Sequence, residues 1–350
     1  MILAFDTSNY TTSAALIKED GTVLSDRRKM LSVREGERGL RQSDALFQHG
    51  KNLPQLLAEV SEDLRCAARY ESERLRLADA VCAIAVSTRP RTQEGSYMPC
   101  FLAGEDAARN LATVLDVPLF SFSHQDGHIA AASYGTELEG ESSFLAWHLS
   151  GGTCELLQWD WDREAVVIGG SLDISFGQLL DRTGVRLGFP FPAGKYLDEA
   201  ALLAEEDPAI REKNGLAKVR VSETRFNLSG LETQVMKKID VLNALYDETQ
   251  LDPADVKKSR RAAVLGLTRD VMERTAETVI LATKNAARML ETDKVLFAGG
   301  VASSAYLRER ITQELPRLRI AFGRPELSAD NAVGIGCLGL SAYRNGREGD

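Results

Sequence analysis

Length, composition and charge already exclude several classes of protein. The chain has 350 residues, of which 44% are hydrophobic and 27% are charged, the usual mixture of a globular protein, so wholesale disorder is excluded. At about 100–200 residues per domain, this length predicts two domains of moderate size. The net charge of −9 argues against a protein coated with positive charge for nucleic acid, although a local basic patch stays open.

Cysteine usage and hydropathy indicate the compartment. Five cysteines are scattered without any CxxC pair, which predicts isolated thiols in a reducing compartment rather than a disulfide framework. The opening sequence, MILAFDTSNYTT, lacks the basic segment and the apolar core of a signal peptide. No run approaches the roughly 18 apolar residues that a membrane-spanning helix needs. We therefore expect a cytoplasmic protein without membrane contact.

The first third of the chain predicts alternating strands and helices. Two apolar runs, Met1–Phe5 and Ser13–Ile17, flank a polar loop at Asp6–Thr12 and predict a hairpin. The elements that follow are a helix over 42–60, a buried strand over 77–86, a helix over 101–115 and a short strand at 117–120. This order is typical of α/β architecture.

A second series of elements begins near residue 143. The predicted elements are strands at 143–149, 154–159 and 165–168, a helix over 263–290, a strand at 294–301 and a helix over 304–315. The breaks between the two series predict two lobes. Lobe I would consist of residues 1–122 plus 325–350, and lobe II, with the metal and nucleotide cleft, of residues 123–324.

Two of the four histidines, His124 and His128, lie four residues apart. On a helix this spacing places both imidazoles on one face, where two nitrogen atoms can bind one metal ion; two surface histidines at a helix start are the alternative. The pattern is close to the HExxH motif of metalloproteases, but Gln125 occupies the position of the general base and cannot take up a proton. Asp126 is displaced by about 100° around the helix. Proteolysis is therefore disfavoured.

Glycine loops follow two of the predicted strands. Ser150–Thr153 and Gly299–Ser303 both occur where an apolar run ends, and glycine allows backbone N–H groups to approach a phosphate or a ribose closely. Neither loop is a Walker A or a GxGxxG motif, and each alone is also typical of an ordinary turn. Together with Asp6, Thr7 and Ser8, the loops favour a nucleotide held between two lobes.

Two further segments carry acidic residues. The stretch 169–198 contains three aspartates, among them Asp181 and Asp198, together with prolines and Gly194. This density of special backbone residues favours a binding loop over a surface helix followed by a turn. Near the end of the chain, Asp330 precedes an apolar segment and is by itself also suited to the N-cap of a helix.

Taken in order, eight segments resemble the motifs of the tRNA threonylcarbamoyladenosine synthase family, the TsaD-type enzymes formerly called O-sialoglycoprotein endopeptidases. The resemblance covers nearly the whole chain. The segments are Phe5–Ser8, His124–His128, Ser150–Gly152, Gly177–Arg182, Phe191–Gly194, Phe226–Thr233, Ala298–Val301 and Asp330–Asn331. No single motif identifies the family, whereas the order of all eight is specific to it.

The resemblance implies a fold, an activity and partners. The fold would be the two-lobed α/β fold of the actin-like, sugar-kinase and Hsp70 ATPases (ASKHA). The family passes a threonylcarbamoyl group from threonylcarbamoyl-AMP to N6 of adenosine 37 in tRNAs that read ANN codons. The implied partners are tRNA and either partner subunits of the threonylcarbamoyladenosine system or a second copy of the chain.

The resemblance also assigns site residues. One divalent metal, iron or zinc, would be held by His124, His128 and Asp330. An adenine nucleotide or threonylcarbamoyl-AMP would contact a second set of residues, namely Asp6, Thr7, Ser8, Ser150, Gly151, Gly152, Asp181, Gly194, Asp198, Gly299, Gly300 and Ser304. No catalytic residue is assigned.

Several positions depart from the family pattern. The histidine that the family carries after Gly152 is absent, and the family's Glu, Asn and Lys are replaced by Gln178, Ser304 and Glu232. The loop after the third strand reads Arg89–Thr92 in place of Pro-Gly-Leu. These changes leave an alternative open, a divergent paralogue that binds metal and nucleotide in a binding or regulatory role and does not modify tRNA.

Two basic stretches are candidates for contact with tRNA phosphates. They are Arg27–Lys29 with Arg34, Arg38 and Arg41, and the group Lys257, Lys258, Arg260 and Arg261. In the first stretch Glu35 and Glu37 are interleaved, and this mixture of charges favours an ordinary solvated segment.

Overall fold

Two β-sheets organise the chain. The structure, a computed structural model, describes residues 1–33, 40–68, 75–93, 95–205, 215–247 and 253–350. Within these ranges the chain separates into two compact units. Unit 1 comprises Met1–Ser142, Asp160–Ala165 and Gly323–Asp350, and unit 2 comprises Ser143–Trp159 and Val166–Phe322.

The first sheet joins a meander to two parallel strands. Its strands are β1 (Ile2–Thr7), β2 (Thr11–Ile17), β3 (Val23–Met30), β4 (Ala83–Arg89) and β5 (Leu119–Ser123), in the spatial order β3-β2-β1-β4-β5. The pairs β1–β2 and β2–β3 are antiparallel, whereas β4 pairs parallel with both β1 and β5. Every residue of β1 and β2 is buried, because helices cover both faces of this sheet.

The second sheet brings two glycine loops to one edge. Its strands are β6 (Ser143–Leu149), β7 (Cys154–Asp160), β8 (Arg163–Ser171), β9 (Val221–Ser222), β10 (Arg225–Phe226), β11 (Lys294–Ala298) and β12 (Arg319–Phe322), in the order β12-β11-β6-β7-β8-β10-β9. Because β6 and β11 are parallel neighbours, their carboxyl ends lie at the same edge. The turns at 150–153 and 299–303, which come directly after these two strands, therefore lie at the same edge of the sheet.

Helices pack on both faces of the first sheet. In chain order the helices are α1 (Gln42–Ala67), α2 (Leu77–Ala80), α3 (Leu102–Leu115), α4 (His124–Ser133), α5 (Phe176–Leu187), α6 (Gly194–Glu205), α7 (Ser229–Asp247), α8 (Pro253–Met289), α9 (Ala305–Glu314) and α10 (Val333–Arg344). Side chains on α1 and α3 pack with Leu3 and Phe5 of β1. The alternate residues Ile2 and Ala4 face α10, where glycines allow close packing. None of the helices described here is both long and apolar enough to span a membrane.

The backbones of α4 and α10 cross in close contact. A Cβ atom at Gly334 would overlap the carbonyl oxygen of Gly127, and a Cβ at Gly127 would lie 2.8 Å from Cδ1 of Ile335. A side chain at residue 334 would push the two helices apart, so this position requires glycine. The crossing fixes the first turn of α4 relative to the segment that precedes α10.

The predicted alternation of strands and helices is confirmed, with corrections at the ends of elements. The polar loop expected at Asp6–Thr12 contains only Ser8–Tyr10, because Asp6 and Thr7 continue β1 and pair with β2. The helix expected from residue 263 begins at Pro253. The strand expected over 77–86 begins only at residue 83, because residues 77–80 form the single turn α2.

The division of the chain differs from the predicted lobes. We expected lobe II to begin at residue 123, but residues 123–142 belong to unit 1, as do residues 160–165. The physical reason is that α4 follows β5 without a linker and packs on α10, so its contacts lie within the first unit. The histidines on α4 therefore belong to unit 1 and not to the second lobe.

Exchange of Gly334 for alanine tests the helix crossing. We expect Gly334→Ala to lower the free energy of unfolding by about 1–3 kcal/mol, because a methyl group has no space between the two backbones. Urea denaturation of the purified protein measures this change. The matched control is Gly50→Ala in α1, where nothing lies within 4 Å of an added Cβ and alanine should stabilise the helix by up to about 1 kcal/mol. Equal stability of the two variants would contradict the close crossing.

Candidate functional site

The first turn of α4 is closed by a capping box. The Ser123 hydroxyl oxygen accepts a hydrogen bond from the Asp126 backbone N–H at 3.1 Å, and the Asp126 carboxylate accepts from the Ser123 backbone N–H at 3.4 Å. Asp126 is buried in this role, and burial raises the pKa of its carboxyl group. Both histidines therefore stand on one helix that begins at His124, and the acid beside Gln125 caps the start of that helix.

Three side chains of unit 1 converge on one point. Nε2 of His128 lies 3.0 Å from Nε2 of His124, and Oδ1 of Asp330 lies 3.5 Å and 3.3 Å from the Nε2 atoms of His124 and His128. Asp330 reaches this point from the segment before α10. Asp330 does not cap α10, although its place before an apolar segment also suits that role. Asn331 accepts the hydrogen bond from the Val333 N–H at 3.0 Å instead.

The geometry of this cluster fits one metal ion. Ligand atoms about 2.0–2.1 Å from a tetrahedral zinc ion are about 3.3 Å from one another, close to the 3.0–3.5 Å separations of His124, His128 and Asp330. The Nδ1–H of His124 donates to both oxygens of Asp6, at 2.9 Å and 3.0 Å. This contact holds a proton on Nδ1, so in the neutral form of the imidazole the lone pair of Nε2 faces the cluster, as metal-binding histidines require. Ser87 donates a hydrogen bond to Asp6 in turn.

Charges within the cluster shift two pKa values strongly. Burial alone would lower the pKa of His124, but the negative charges of Asp6 and Asp330 and their hydrogen bonds outweigh burial and raise it to about 10. Burial would raise the pKa of Asp330, but hydrogen bonds from His124 and His128 hold it well below its usual range. The site is therefore built to balance positive charge against two carboxylates.

A cavity of about 590 Å³ lies within unit 2. It is lined by six of the residues assigned to nucleotide or substrate: Gly151, Asp181, Gly194, Asp198, Gly300 and Ser304. The other lining residues are Gly177, Leu180, Pro192, Lys195, Tyr196, Met272, Val301 and Ser303. Apart from Met272 on α8, they lie in the segments 169–198 and 298–303, which the sequence pattern already favours as binding loops; Met272 lies in no motif and was missed.

The polar residues of this cavity also hold its walls together. One oxygen of Asp198 accepts from the Ala305 backbone N–H at 2.9 Å and the other from the Tyr306 N–H at 3.0 Å, so Asp198 on α6 caps the start of α9. Ser304 donates to Asp198 and accepts from the Leu307 N–H at 3.1 Å. The hydroxyl group at residue 304 thus serves as the N-cap of α9, a role that serine and asparagine share.

The remaining assigned residues lie outside this cavity. Ser150 closes its turn by accepting a hydrogen bond from the Thr153 N–H at 3.1 Å, and Gly152 is exposed in the same turn. Gly299 has a φ angle of +94°, and a Cβ there would collide with the Leu149 backbone. These positions shape the loops beside the cavity.

Asp6, Thr7 and Ser8 belong to unit 1 and serve the other site. Asp6 orients His124, and Ser8 donates a hydrogen bond to Asp330. Thr7 accepts a hydrogen bond from the Gly104 backbone N–H at 3.2 Å, which joins β1 to α3. The opening motif therefore supports the histidine and aspartate cluster. Ser87 was missed because β4 carries no pattern that links it to β1, although the two strands are parallel neighbours.

Two departures from the family pattern have local structural explanations. The side chain of Gln178 accepts from the Ser175 N–H at 3.2 Å and completes the capping box of α5, which either Gln or Glu can do. Glu232 forms an ion pair with Arg182 at 2.8 Å. Neither residue is therefore an unexplained replacement.

Two cations of the first basic stretch form ion pairs within unit 1. Arg27 forms a bidentate pair with Asp63, Arg28 pairs with Asp26, and Lys29 donates to Gln55. Arg34 and Arg38 lie outside the described residues, as do Glu35 and Glu37. In the second stretch Lys257, Lys258, Arg260 and Arg261 are exposed on α8.

The fold is shared with two solved structures. HypF from T. kodakarensis matches with a TM-score of 0.54 at 14% identity, over 99% of this chain and 48% of that chain. Full-length HypF in its phosphate- and nucleotide-bound form matches with a TM-score of 0.52 at 13% identity, over 98% of this chain and 46% of that chain. At this identity the likeness concerns the fold alone. The fold is the predicted α/β fold of the actin-like, sugar-kinase and Hsp70 ATPases.

Sequence similarity then identifies the family. Residues 45–337 match the TsaD family, described as tRNA N6-adenosine threonylcarbamoyltransferase, and the chain belongs to this family. The enzyme of that name from Neorickettsia sennetsu is 26% identical over 348 residues, 99% of this chain and 94% of the relative. Its counterpart from Geobacillus kaustophilus is 28% identical over 363 residues, 100% of this chain and 93% of the relative. The chain is thus a transferase and not a protease, as Gln125 predicted.

The shifted pKa of His124 predicts pH-dependent stability of the metal-free protein. Because its folded pKa of about 10 exceeds the unfolded value of roughly 6.5, His124 contributes stability that is complete below pH 6.5 and is lost as the pH rises towards 10. We expect the free energy of unfolding of the wild type to fall more steeply between pH 7 and pH 10 than that of His124→Gln. Urea denaturation in the presence of a chelator measures both slopes. Parallel curves would contradict the proposed charge balance.

Proposed function

We propose that this chain transfers a threonylcarbamoyl group from threonylcarbamoyl-AMP to N6 of adenosine 37 of tRNA. The observation that carries the proposal is the convergence of His124, His128 and Asp330, with Asp6 behind His124, in a chain of the threonylcarbamoyltransferase family. In this reaction the amine nitrogen attacks the carbamoyl carbon and the bond from that carbon to the phosphate oxygen breaks. AMP leaves, and the amine gives up one proton.

His124, His128 and Asp330 would hold one divalent metal, iron or zinc. Two imidazoles and one carboxylate suit either ion, and three protein ligands leave coordination positions for substrate. A metal bound there would act as a Lewis acid on phosphate or carbamoyl oxygens and stabilise negative charge on the departing AMP. Asp6 keeps the proton on Nδ1 of His124, and Ser8 orients Asp330 through its hydroxyl group.

The cavity of unit 2 would hold the adenine nucleoside part of the donor. Its volume of about 590 Å³ lies in the usual range for sites that bind small organic ligands. Leu180, Met272 and Val301 offer apolar surface for a base, while Asp181 and Asp198 can accept hydrogen bonds from a ribose. The exposed glycines at 151 and 152 leave their backbone accessible to a phosphate.

The structural roles of the residues that differ from the family pattern favour activity over the alternative, a paralogue that does not modify tRNA. Gln178 and Ser304 cap the starts of α5 and α9, so these replacements keep the local structure of both helix ends. We further propose that tRNA is the acceptor, that the protein acts in the cytoplasm, and that it works with partner subunits of the threonylcarbamoyladenosine system or as a homodimer.

Metal analysis tests the first part of the proposal. The purified protein should contain one equivalent of iron or zinc by inductively coupled plasma mass spectrometry. His124→Ala and Asp330→Ala each remove one ligand and should reduce the content at least tenfold. The matched control is Glu326→Ala, an exposed acidic residue near Asp330, which should retain the metal. Full metal content in both ligand variants would overturn the assignment.

Complementation tests the transferase activity. The gene should rescue a strain depleted of its own synthase, with threonylcarbamoyladenosine restored in total tRNA as measured by mass spectrometry. Asp330→Ala should fail to restore the modified nucleoside, while Glu326→Ala should succeed. Failure of the wild type, together with intact metal and nucleotide binding, would support the paralogue that does not modify tRNA.

A further inference from the structure

Two aromatic rings are stacked at the wall of the unit 2 cavity. The ring centroids of Phe189 and Tyr196 are 6.0 Å apart, and the ring planes differ by only 9°. Tyr196 lines the cavity and retains 36% of its surface exposed. Phe189 also packs against the hydrophobic core of unit 2. One side of the Tyr196 ring is thus supported by protein, and Tyr196 still offers surface to the cavity.

The backbone on either side of this pair is anchored. The Phe189 N–H donates to the Gly184 carbonyl oxygen at 2.9 Å, and the Ala193 N–H donates to Asp181 at 2.7 Å. Next to Tyr196, the side chain of Leu197 is fully buried. The backbone that carries Tyr196 is therefore fixed before any ligand arrives, and fewer degrees of freedom are left to be ordered on binding.

We propose that Tyr196 stacks against the base of the bound nucleoside and determines its preference for a purine, with Phe189 as the positioning residue behind it. This inference rests on the proposed function, in which the cavity takes an adenine nucleotide. Among the described residues that line the cavity, Tyr196 supplies the only aromatic ring, whereas the apolar surface of Leu180, Met272 and Val301 does not distinguish bases by their π face. A two-ring purine buries more apolar surface against an aromatic ring than a one-ring pyrimidine does, so a purine gains more.

Titration calorimetry with adenosine, AMP and cytidine as separate probes tests this inference on the full chain. Stacking of a base on an aromatic side chain contributes about 1–3 kcal/mol, so Tyr196→Leu should weaken adenosine binding by about 5- to 150-fold. Tyr196→Phe keeps the ring and should keep the affinity within about threefold. The ratio of adenosine to cytidine affinity should fall towards one in Tyr196→Leu, a change that a general loss of packing does not produce.

Control variants separate stacking from folding and from the function of the cavity. Tyr97→Leu removes an exposed tyrosine of unit 1 and should leave all three affinities unchanged. Phe189→Leu should lower the ratio of adenosine to cytidine affinity less than Tyr196→Leu does. Phe189→Tyr keeps an aromatic ring at this position and should keep the wild-type ratio. Thermal unfolding of each variant verifies that it is folded.

Two results would count against the inference in different ways. If the wild type binds neither adenosine nor AMP, the nucleotide proposal for the cavity fails, and the stacking role fails with it. If the wild type binds adenosine but Tyr196→Leu has the same affinity and the same selectivity, only the stacking role is overturned, and the proposed function stands.

Discussion

The close crossing of α4 and α10 is the constraint on which the arrangement of unit 1 depends. Because Gly127 and Gly334 allow the two backbones to touch, the first turn of α4 lies beside the segment that carries Asp330. The capping box of Ser123 then sets the turn on which both histidines stand. Asp6, at the end of β1, fixes the ring of His124 from the sheet below. The convergence of His124, His128 and Asp330 thus follows from one helix contact and one helix start.

Several carboxylates of this acidic chain accept backbone hydrogen bonds at loops and helix starts. Asp173 accepts hydrogen bonds from the backbone of Leu228, Ser229 and Ile174, and these contacts hold its pKa below the usual value although burial acts in the opposite direction. Asp181 and Asp198 likewise accept backbone N–H groups beside the cavity. These carboxylates are therefore engaged in holding loops and helix ends.

Sequence reasoning was strongest where the chemistry is local. The i, i+4 spacing of His124 and His128 predicts their common face directly, because both stand on one helix. Asp330 lies far along the chain, so only the family resemblance could pair it with them, and Ser87 and Met272 lie in no motif. The two units differ from the predicted lobes for the same reason, since the packing of α4 on α10 is a tertiary contact that no local pattern encodes. From the sequence, Gln178 and Ser304 appear only as replacements of the family's Glu and Asn. The structure shows that their side chains cap α5 and α9.

The residues of the histidine and aspartate cluster and those of the cavity come from different units of the chain, so different measurements report on them. The donors His124, His128 and Asp330 all come from unit 1, whereas every residue that lines the cavity comes from unit 2. A variant that removes a donor of the first set is therefore assessed by its metal content, and one that removes a lining residue of the cavity by its nucleotide affinity. Under the proposed function both sets act in one transfer, so the loss of either set is expected to abolish it.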